Sequence, residues 1–326
     1  MQTNVSIGID IGGTNTVIGL IDQAGKCYVE ECVPTRDFNK IQDLVDELYR
    51  IVLEKQEQLG VTPIGVGMGA PNGNYFNGTI ESPANLKWKG TIPIVEMLEK
   101  KFRIPAYVTN DAKAAAIGEM VYGGAKGMKN FVVITLGTGL GCGIVVNGDL
   151  IYGHDGLAGE LGHIIVKPGG RACNCGRRGC LETYASATGI KRTASELLAT
   201  EVTASELRNI PFSELTAKEI YHAAQKGDPI ALEAFSRMGS MLGAALANLV
   251  AIISPEAIFL QGGVANAGEW LFKTTGEEME RNLLYLYKQK ISIRHSSLPV
   301  NAAIIGASAL VWKELGVESH YKNIQP

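Results

Sequence analysis

Two short glycine-rich stretches and one cluster of histidine and cysteine carry the chemistry that this chain offers. The first stretch, Asp10-Ile11-Gly12-Gly13-Thr14-Asn15, follows an apolar run that starts at Val5. Glycines let backbone N–H groups come close to a phosphate, and Thr14 adds a hydroxyl donor. Asp10, at the end of the run, has the chemistry to hold a hydrated Mg²⁺. The second stretch, Thr135-Leu136-Gly137-Thr138-Gly139-Leu140-Gly141, repeats the pattern. Either alone reads equally well as an ordinary tight hairpin, but two in one chain point to phosphate. Neither contains G-x-x-x-x-G-K-[ST], and neither is a G-x-G-x-x-G turn opening a helix. No P-loop motif is present, and dinucleotide binding is disfavoured.

The third constellation is Gly159-Glu160-Leu161-Gly162-His163 followed by Cys173-Asn174-Cys175-Gly176-Arg177-Arg178-Gly179-Cys180-Leu181-Glu182. His163, Cys173, Cys175 and Cys180 supply one imidazole and three thiolates, the ligand set of a closed, tetrahedral, structural Zn²⁺ site. The bland alternative is three free thiols in a loop. The remaining cysteines, Cys27, Cys32 and Cys142, lie apart from it, and that clustering favours metal. Asn110-Asp111 is by itself only a helix N-cap.

These residues need elements to hold them. Val5 to Asp10 reads as a strand, Gly12 to Thr14 as a turn, and Val17 to Ile21 as the returning strand. Apolar residues from Ile41 to Leu59 recur at helical spacing. Ile64 to Met68 and Ala106 to Thr109 read as strands, Ile92 to Phe102 and Ala112 to Met120 as helices. A similar series follows: strand Phe131 to Leu136, the second glycine turn, strand Cys142 to Val146, and an Asn147-Gly148 hairpin turn. Helices are expected at Ala217 to Lys226, Ile230 to Ile253, Gly268 to Leu286 and Ile304 to Leu315, with a strand at Ile258 to Leu260.

The 326 residues favour two domains, and 46% hydrophobic with 19% charged residues is ordinary for a globular protein. A net charge of −3 means that the whole-protein field does not favour nucleic acid. The first residues lack a secretory pattern, so a cytoplasmic, reducing location is expected, and a disulfide framework is not. The most apolar stretch, Met241 to Ile253, is shorter than the ~20 residues that span a bilayer, and a buried helix is expected there instead of a membrane contact.

The two hairpins are similar to the phosphate motifs of the actin-like ATPase fold. The run from Asn110 through about Ala187, the zinc cluster above all, resembles the signature of the ROK family of sugar kinases and repressors. That resemblance implies an α/β, two-domain actin-like (ribonuclease H-like) fold with an interdomain cleft. The expected domains are residues 1–112, completed by a C-terminal helix 305–326, and residues 113–304 with the zinc loop. It implies an ATP- and Mg²⁺-dependent hexose kinase with a structural Zn²⁺, and a homodimer. Its residues carry over as follows: Asp111 as catalytic base; Asn85, Asn110, Glu160, His163 and Glu182 as sugar ligands; Gly12, Gly13, Thr14, Asn15, Gly137, Thr138 and Gly139 at the phosphates; Gly262 and Gly263, in Gln261-Gly262-Gly263-Val264, on the adenosine side; Asp10 at the magnesium.

Repressors of the family add an N-terminal DNA-binding domain, and a first hairpin beginning by Val5 leaves no room for one. Glucose leads among the hexoses because Gly156 to His163 and Cys180 to Ser186 are most similar to glucokinase-like members; mannose, fructose and N-acetylhexosamines are the alternatives. A non-catalytic sugar sensor is the second reading, and a chaperone-type ATPase the third. One departure is Cys142, where glucokinase-like members carry glycine; its small side chain is expected to matter little.

Overall fold

Val5, Ser6, Ile7, Gly8 and Ile9 are all buried, the near-continuous burial of a strand covered on both faces. In the computed structural model, which describes residues 3–83, 85–298 and 302–316, this strand is the centre of a five-stranded sheet. Ala84, and residues 317–326 of the expected C-terminal helix, lie outside the described residues.

In chain order the first elements are β1 (Thr3–Ile11), β2 (Asn15–Asp22), β3 (Cys27–Pro34), α1 (Ile41–Leu59) and β4 (Val61–Ala70). A small sheet follows, made of β5 (Gly73–Asn74), β6 (Thr79–Glu81) and β7 (Thr91–Ile92). Then come α2 (Ile94–Phe102), β8 (Ala106–Asn110) and α3 (Asp111–Val121). The second series is β9 (Phe131–Leu136), β10 (Leu140–Val146), β11 (Asp149–Leu150), α4 (Ala187–Thr200), α5 (Ala217–Gln225), α6 (Pro229–Ile253), β12 (Ala257–Gln261), α7 (Glu269–Asn282), β13 (Ser292–His295) and α8 (Ala302–Glu314).

The expected duplication is visible in the sheets. One has strand order β3-β2-β1-β4-β8, the other β11-β10-β9-β12-β13. In each, a glycine hairpin supplies two strands, and two parallel strands are added beside the first of them. Both glycine turns therefore sit at the carboxyl ends of parallel strands, where open α/β sheets bind ligands.

Two compact units result, one drawn from Met1–Met128, Gly143–Ala158 and Ser296–Pro326, the other from Lys129–Cys142 and Gly159–His295. In the first, α1 buries Leu44, Val45, Leu48, Ile51 and Val52, and shares a core with β1, β4 and α2. Helix α8 covers the other side of β1 and β4 and packs along α3. Its backbone lies so close that a Cβ at Gly67 would overlap the Ala307 carbonyl. The Ser6 and Ser308 hydroxyls bond at 2.5 Å across this contact.

In the second unit α6 and α7 pack together, with α4 and α5 against α6. Helix α6 begins at Pro229, capped by Asp228, and runs 25 residues, so it is long and apolar enough to cross a membrane by length and composition. The expected argument from shortness fails, because the helix starts well before Met241. Burial remains: Phe235, Met238, Leu242, Leu246 and Val250 lie inside the unit. Helix α7 ends earlier than expected. The Asn282 side chain turns back to the Glu278 carbonyl at 2.8 Å and Leu283 is extended. Helix α4, which periodicity did not flag, starts where the Ser186 hydroxyl accepts from Gly189 N.

Candidate functional site

Asp10 ends the parallel part of β1 and pairs with Gly69 of β4, which in turn pairs with Thr109 of β8. Strand β8 passes directly into Asn110 and Asp111, so both acidic residues flank Gly69 at one end of the sheet. A Cβ at Gly69 would lie 3.6 Å from the Asp111 Cα and 3.7 Å from Asp10 Oδ1. The N-cap reading of Asn110 holds: its Oδ1 accepts from Ala112 N at 2.9 Å. Asp111 Oδ1 accepts from the same N–H at 2.8 Å, and Asn110 also hydrogen-bonds the Asp111 carboxyl. The cap thereby fixes the carboxylate.

Desolvation raises the Asp10 carboxyl from its ordinary 3.8 to about 6, with the Asp111 charge adding to it. Asp111 is also pushed up by the mass of protein around it, against the pull of its N–H donors and Asn110. Asp111 as a residue nonetheless keeps an exposed surface.

The turn after Asp10 is closed by Gly12 N donating to the Asn15 carbonyl at 2.9 Å. Thr14 and Asn15 are exposed. A Cβ at Gly13 would overlap the Asn85 carbonyl, so this glycine is needed for contact with Asn85 as well as for any phosphate. Gly13 thus brings Asn85 beside the first hairpin.

In the second unit, Gly137 N donates to the Gly139 carbonyl at 3.1 Å. The Gly137 carbonyl accepts from Ala187 N at 2.8 Å, and the Thr138 carbonyl from Thr188 Oγ1 at 2.9 Å. The start of α4 therefore seats this hairpin. A cavity of about 570 Å³ opens beside it. Gly137 and Thr138 form one wall and Gly263 and Val264 another. Thr216, Lys218, Tyr221 and His222 of the α5 segment complete it with Phe235 and Asn266. None of these six was singled out from sequence, since no local motif joins them; a helix start facing two glycine turns is a tertiary fact. Gly262 and Gly139 do not line the cavity. Gly139 faces Glu182 instead, and a Cβ there would lie 2.7 Å from its Oε2.

His163, Cys173, Cys175 and Cys180 present ligand atoms that all lie within 4.8 Å of one another. Cys173 Sγ is 3.7 Å from His163 Nδ1, and Cys175 Sγ is 3.6 Å from Cys180 Sγ. Tetrahedral zinc with bonds of about 2.0 to 2.3 Å asks for edges of roughly this length, so the donor set fits the ion. The loop is folded for it: Cys173 N donates to the Arg177 carbonyl at 2.9 Å, and Gly179 N to the Arg171 carbonyl at 2.8 Å. Burial alone would raise the Cys175 thiol. The Arg177 N–H and side chain, with Cys173 and Cys180, outweigh it and bring the thiol down to about 6.

Arg171, unmarked by any motif, anchors this loop. It donates to both Glu196 carboxylate oxygens at 2.9 and 2.6 Å, to the Thr183 carbonyl at 2.7 Å, and lies 4.6 Å from the Tyr184 ring centroid. Glu182 accepts from Cys173 Sγ at 3.0 Å and sits 3.6 Å from His163 Nδ1, while His163 Nε2 faces Glu160 at 4.0 Å. Only a protonated thiol can make the Cys173–Glu182 bond, so a metal-bound thiolate would release that carboxylate. Cys142 is buried, out of contact with solvent.

The chain matches the description of the ROK family over residues 6–314. It is 38% identical to a glucokinase of Halalkalibacterium halodurans over 94% of each chain. It is 33% identical to a glucokinase of Thermotoga maritima, over 95% of this chain and 98% of that one. Among solved structures it is similar to a ROK family glucokinase from Streptomyces griseus in complex with glucose and AMPPNP. That likeness has a TM-score of 0.80, 33% identity, and covers 94% of this chain and 98% of the other. The fold is accordingly α/β of the actin-like ATPase type.

Proposed function

The chain belongs to the ROK family, and from that premise we propose that it is an ATP-dependent glucokinase, forming glucose 6-phosphate. The observation that carries the reading is the presence in one chain of two glycine hairpins, each at the carboxyl ends of parallel strands, and of a carboxylate fixed at the start of α3. Phosphoryl transfer asks the protein mainly for positioning, charge neutralisation and an acceptor for the hydroxyl proton. Asp111 is that acceptor. Ala112 N–H and the Asn110 side chain hold its carboxyl in place, ready to take the proton of the sugar hydroxyl. Asn85, Asn110, Glu160, His163 and Glu182 bind the sugar. Carboxylates and amides can each bond two neighbouring hydroxyls, and that suits a hexose.

The backbone of Gly12, Gly13, Thr14 and Asn15, and that of Gly137, Thr138 and Gly139, binds the phosphates. The cavity beside Gly137 takes the adenosine, with Gly263 on its wall and Gly262 shaping the turn that carries it. Asp10 orients a hydrated magnesium ion, which supplies charge neutralisation at the phosphates when bound. His163, Cys173, Cys175 and Cys180 hold a structural zinc. With Nδ1 turned to the thiols, the His163 Nε2–H is left to donate to a sugar hydroxyl. We further propose a cytoplasmic homodimer that binds no nucleic acid.

The test is ADP release measured across glucose, mannose, fructose, N-acetylglucosamine and N-acetylmannosamine. Glucose is expected to give the highest kcat/KM. A higher value with another hexose would reassign the substrate, and no turnover with any would turn the reading towards a sugar sensor.

A further inference from the structure

The first hairpin, Asp10 to Asn15, contains no lysine or arginine, and neither does the second, Thr135 to Gly141. Transfer of a phosphoryl group redistributes negative charge, and enzymes meet it with protein cations besides magnesium. A cation does stand at the first hairpin, but it comes from a distant part of the chain.

After β3 the backbone makes one turn, Thr35–Asp37, that is stitched to the hairpin at three points. Thr35 N donates to the Thr14 carbonyl at 2.9 Å. The buried hydroxyls of Thr16 and Thr35 bond at 2.8 Å. Arg36 Nη2 donates to Thr14 Oγ1 at 3.0 Å. A second loop holds the turn from behind: Lys87 Nζ donates to the Arg36 carbonyl at 2.7 Å and to Asn39 Oδ1 at 3.3 Å. Lys87 lies two residues beyond Asn85, whose carbonyl rests on Gly13.

None of the ion pairs among the described residues includes Arg36 or Lys87. A guanidinium resting on a hydroxyl is not neutralised, so its charge stays available to an anion. Thr14, by accepting from Arg36, also keeps its own proton to donate elsewhere. The bland reading is a solvated surface arginine. Against it stand the three stitches, which fix this backbone to the first of the two turns read as phosphate cradles.

We propose that Arg36 is a further catalytic residue, its guanidinium binding the oxygens of the phosphoryl group in transit. This rests on the kinase reading. In the step, the sugar hydroxyl oxygen bonds to the γ-phosphorus and its proton passes to Asp111. The bond from that phosphorus to the bridging oxygen breaks, and its electron pair stays on ADP. Charge builds on oxygens that a planar, two-pronged donor can bind in pairs.

Arg36→Ala and Arg36→Lys in the full chain test this. Arg36 is exposed, so neither should shift the melting temperature by more than about 2 °C. Arg36→Ala should lose about tenfold to a thousandfold in kcat, with the glucose KM within about twofold of wild type. Arg36→Lys should recover part of the loss. Calorimetry gives a readout free of turnover. With Mg²⁺, affinity for a non-hydrolysable ATP analogue should fall at least about fivefold in Arg36→Ala, while ADP affinity is unchanged. Turnover within twofold of wild type, or equal loss of ADP and analogue affinity, would overturn the assignment. Wild-type protein inactive on every hexose would instead overturn the kinase reading, and the nucleotide titrations would still decide whether Arg36 meets the terminal phosphate.

Discussion

At the scale of single residues the two aspartates carry opposite burdens. Asp111→Asn should keep sugar affinity and lower kcat by about 10² to 10⁴, because the amide preserves size and the Ala112 hydrogen bond but cannot take a proton. Calorimetry with glucose beside steady-state kinetics separates the two effects, and near-normal turnover would remove Asp111 from the mechanism. Asp10 makes a prediction about stability. Its pKa is higher folded, about 6, than its ordinary 3.8, so the fold prefers the protonated form. The stability this confers is present below about 3.8 and is lost as pH rises through about 6. In nucleotide- and metal-free protein, Asp10→Asn should therefore be more stable than wild type at pH 8, by no more than about 3 kcal/mol. The gain should vanish near pH 4. Melting curves across that range decide it, and a gain that does not change with pH would deny the cause.

At the scale of elements, what could be read from the chain depended on how local each feature is. Both glycine hairpins and the His163–Cys180 loop are contiguous, so residue types and spacing were enough to find them. The wall formed by Thr216, Lys218, Tyr221 and His222 was not, because it is a helix start facing turns far away in the chain. Arg36 escaped notice for the same reason: its meaning lies in a bond to Thr14, 22 residues away. Helix α7 was drawn too long because Leu283 to Leu286 continues an apolar pattern, while the extended backbone of Leu283 ends the helix.

The zinc loop makes the prediction at this scale. Cys175→Ser, or chelation of metal, should lower stability and weaken glucose binding more than nucleotide binding, since His163 and Glu182 sit on the loop and the cavity's α5 wall does not. Elemental analysis should find about one zinc per chain. Unchanged glucose affinity in folded, metal-depleted protein would make the loop a staple only. Gly139→Ala probes the same carboxylate from the other side: a methyl 2.7 Å from Glu182 Oε2 should raise the glucose KM about tenfold or more, with the fold kept. A KM unchanged in that variant would remove Glu182 from the sugar.

At the scale of the molecule, the duplicated sheet order was legible only as a repeated hairpin; the parallel additions β4, β8, β12 and β13 required the fold to show that both halves are built alike. Their seams differ in what they tolerate. Gly67→Ala sets a methyl against the backbone of α8, which cannot move aside as a side chain could, and should cost about 1 to 3 kcal/mol or more. Chemical denaturation would measure it, and a neutral variant would show that α8 is loosely held.

The placement of α8 also has a consequence for synthesis. Strands β1 and β4 leave the ribosome early, yet the helix that covers one of their faces is among the last segments made. At ~5 to 20 residues per second, the lag from Ala70 to Ala302 spans on the order of tens of seconds. Throughout it the nascent sheet presents Gly8, Gly67 and their apolar neighbours with no helix over them. The second unit, whose segments end at His295, is complete before the first. The order of completion is thus the reverse of the order of beginning, and the interval is a window for chaperone capture or aggregation that a circular permutant placing α8 ahead of β1 would close.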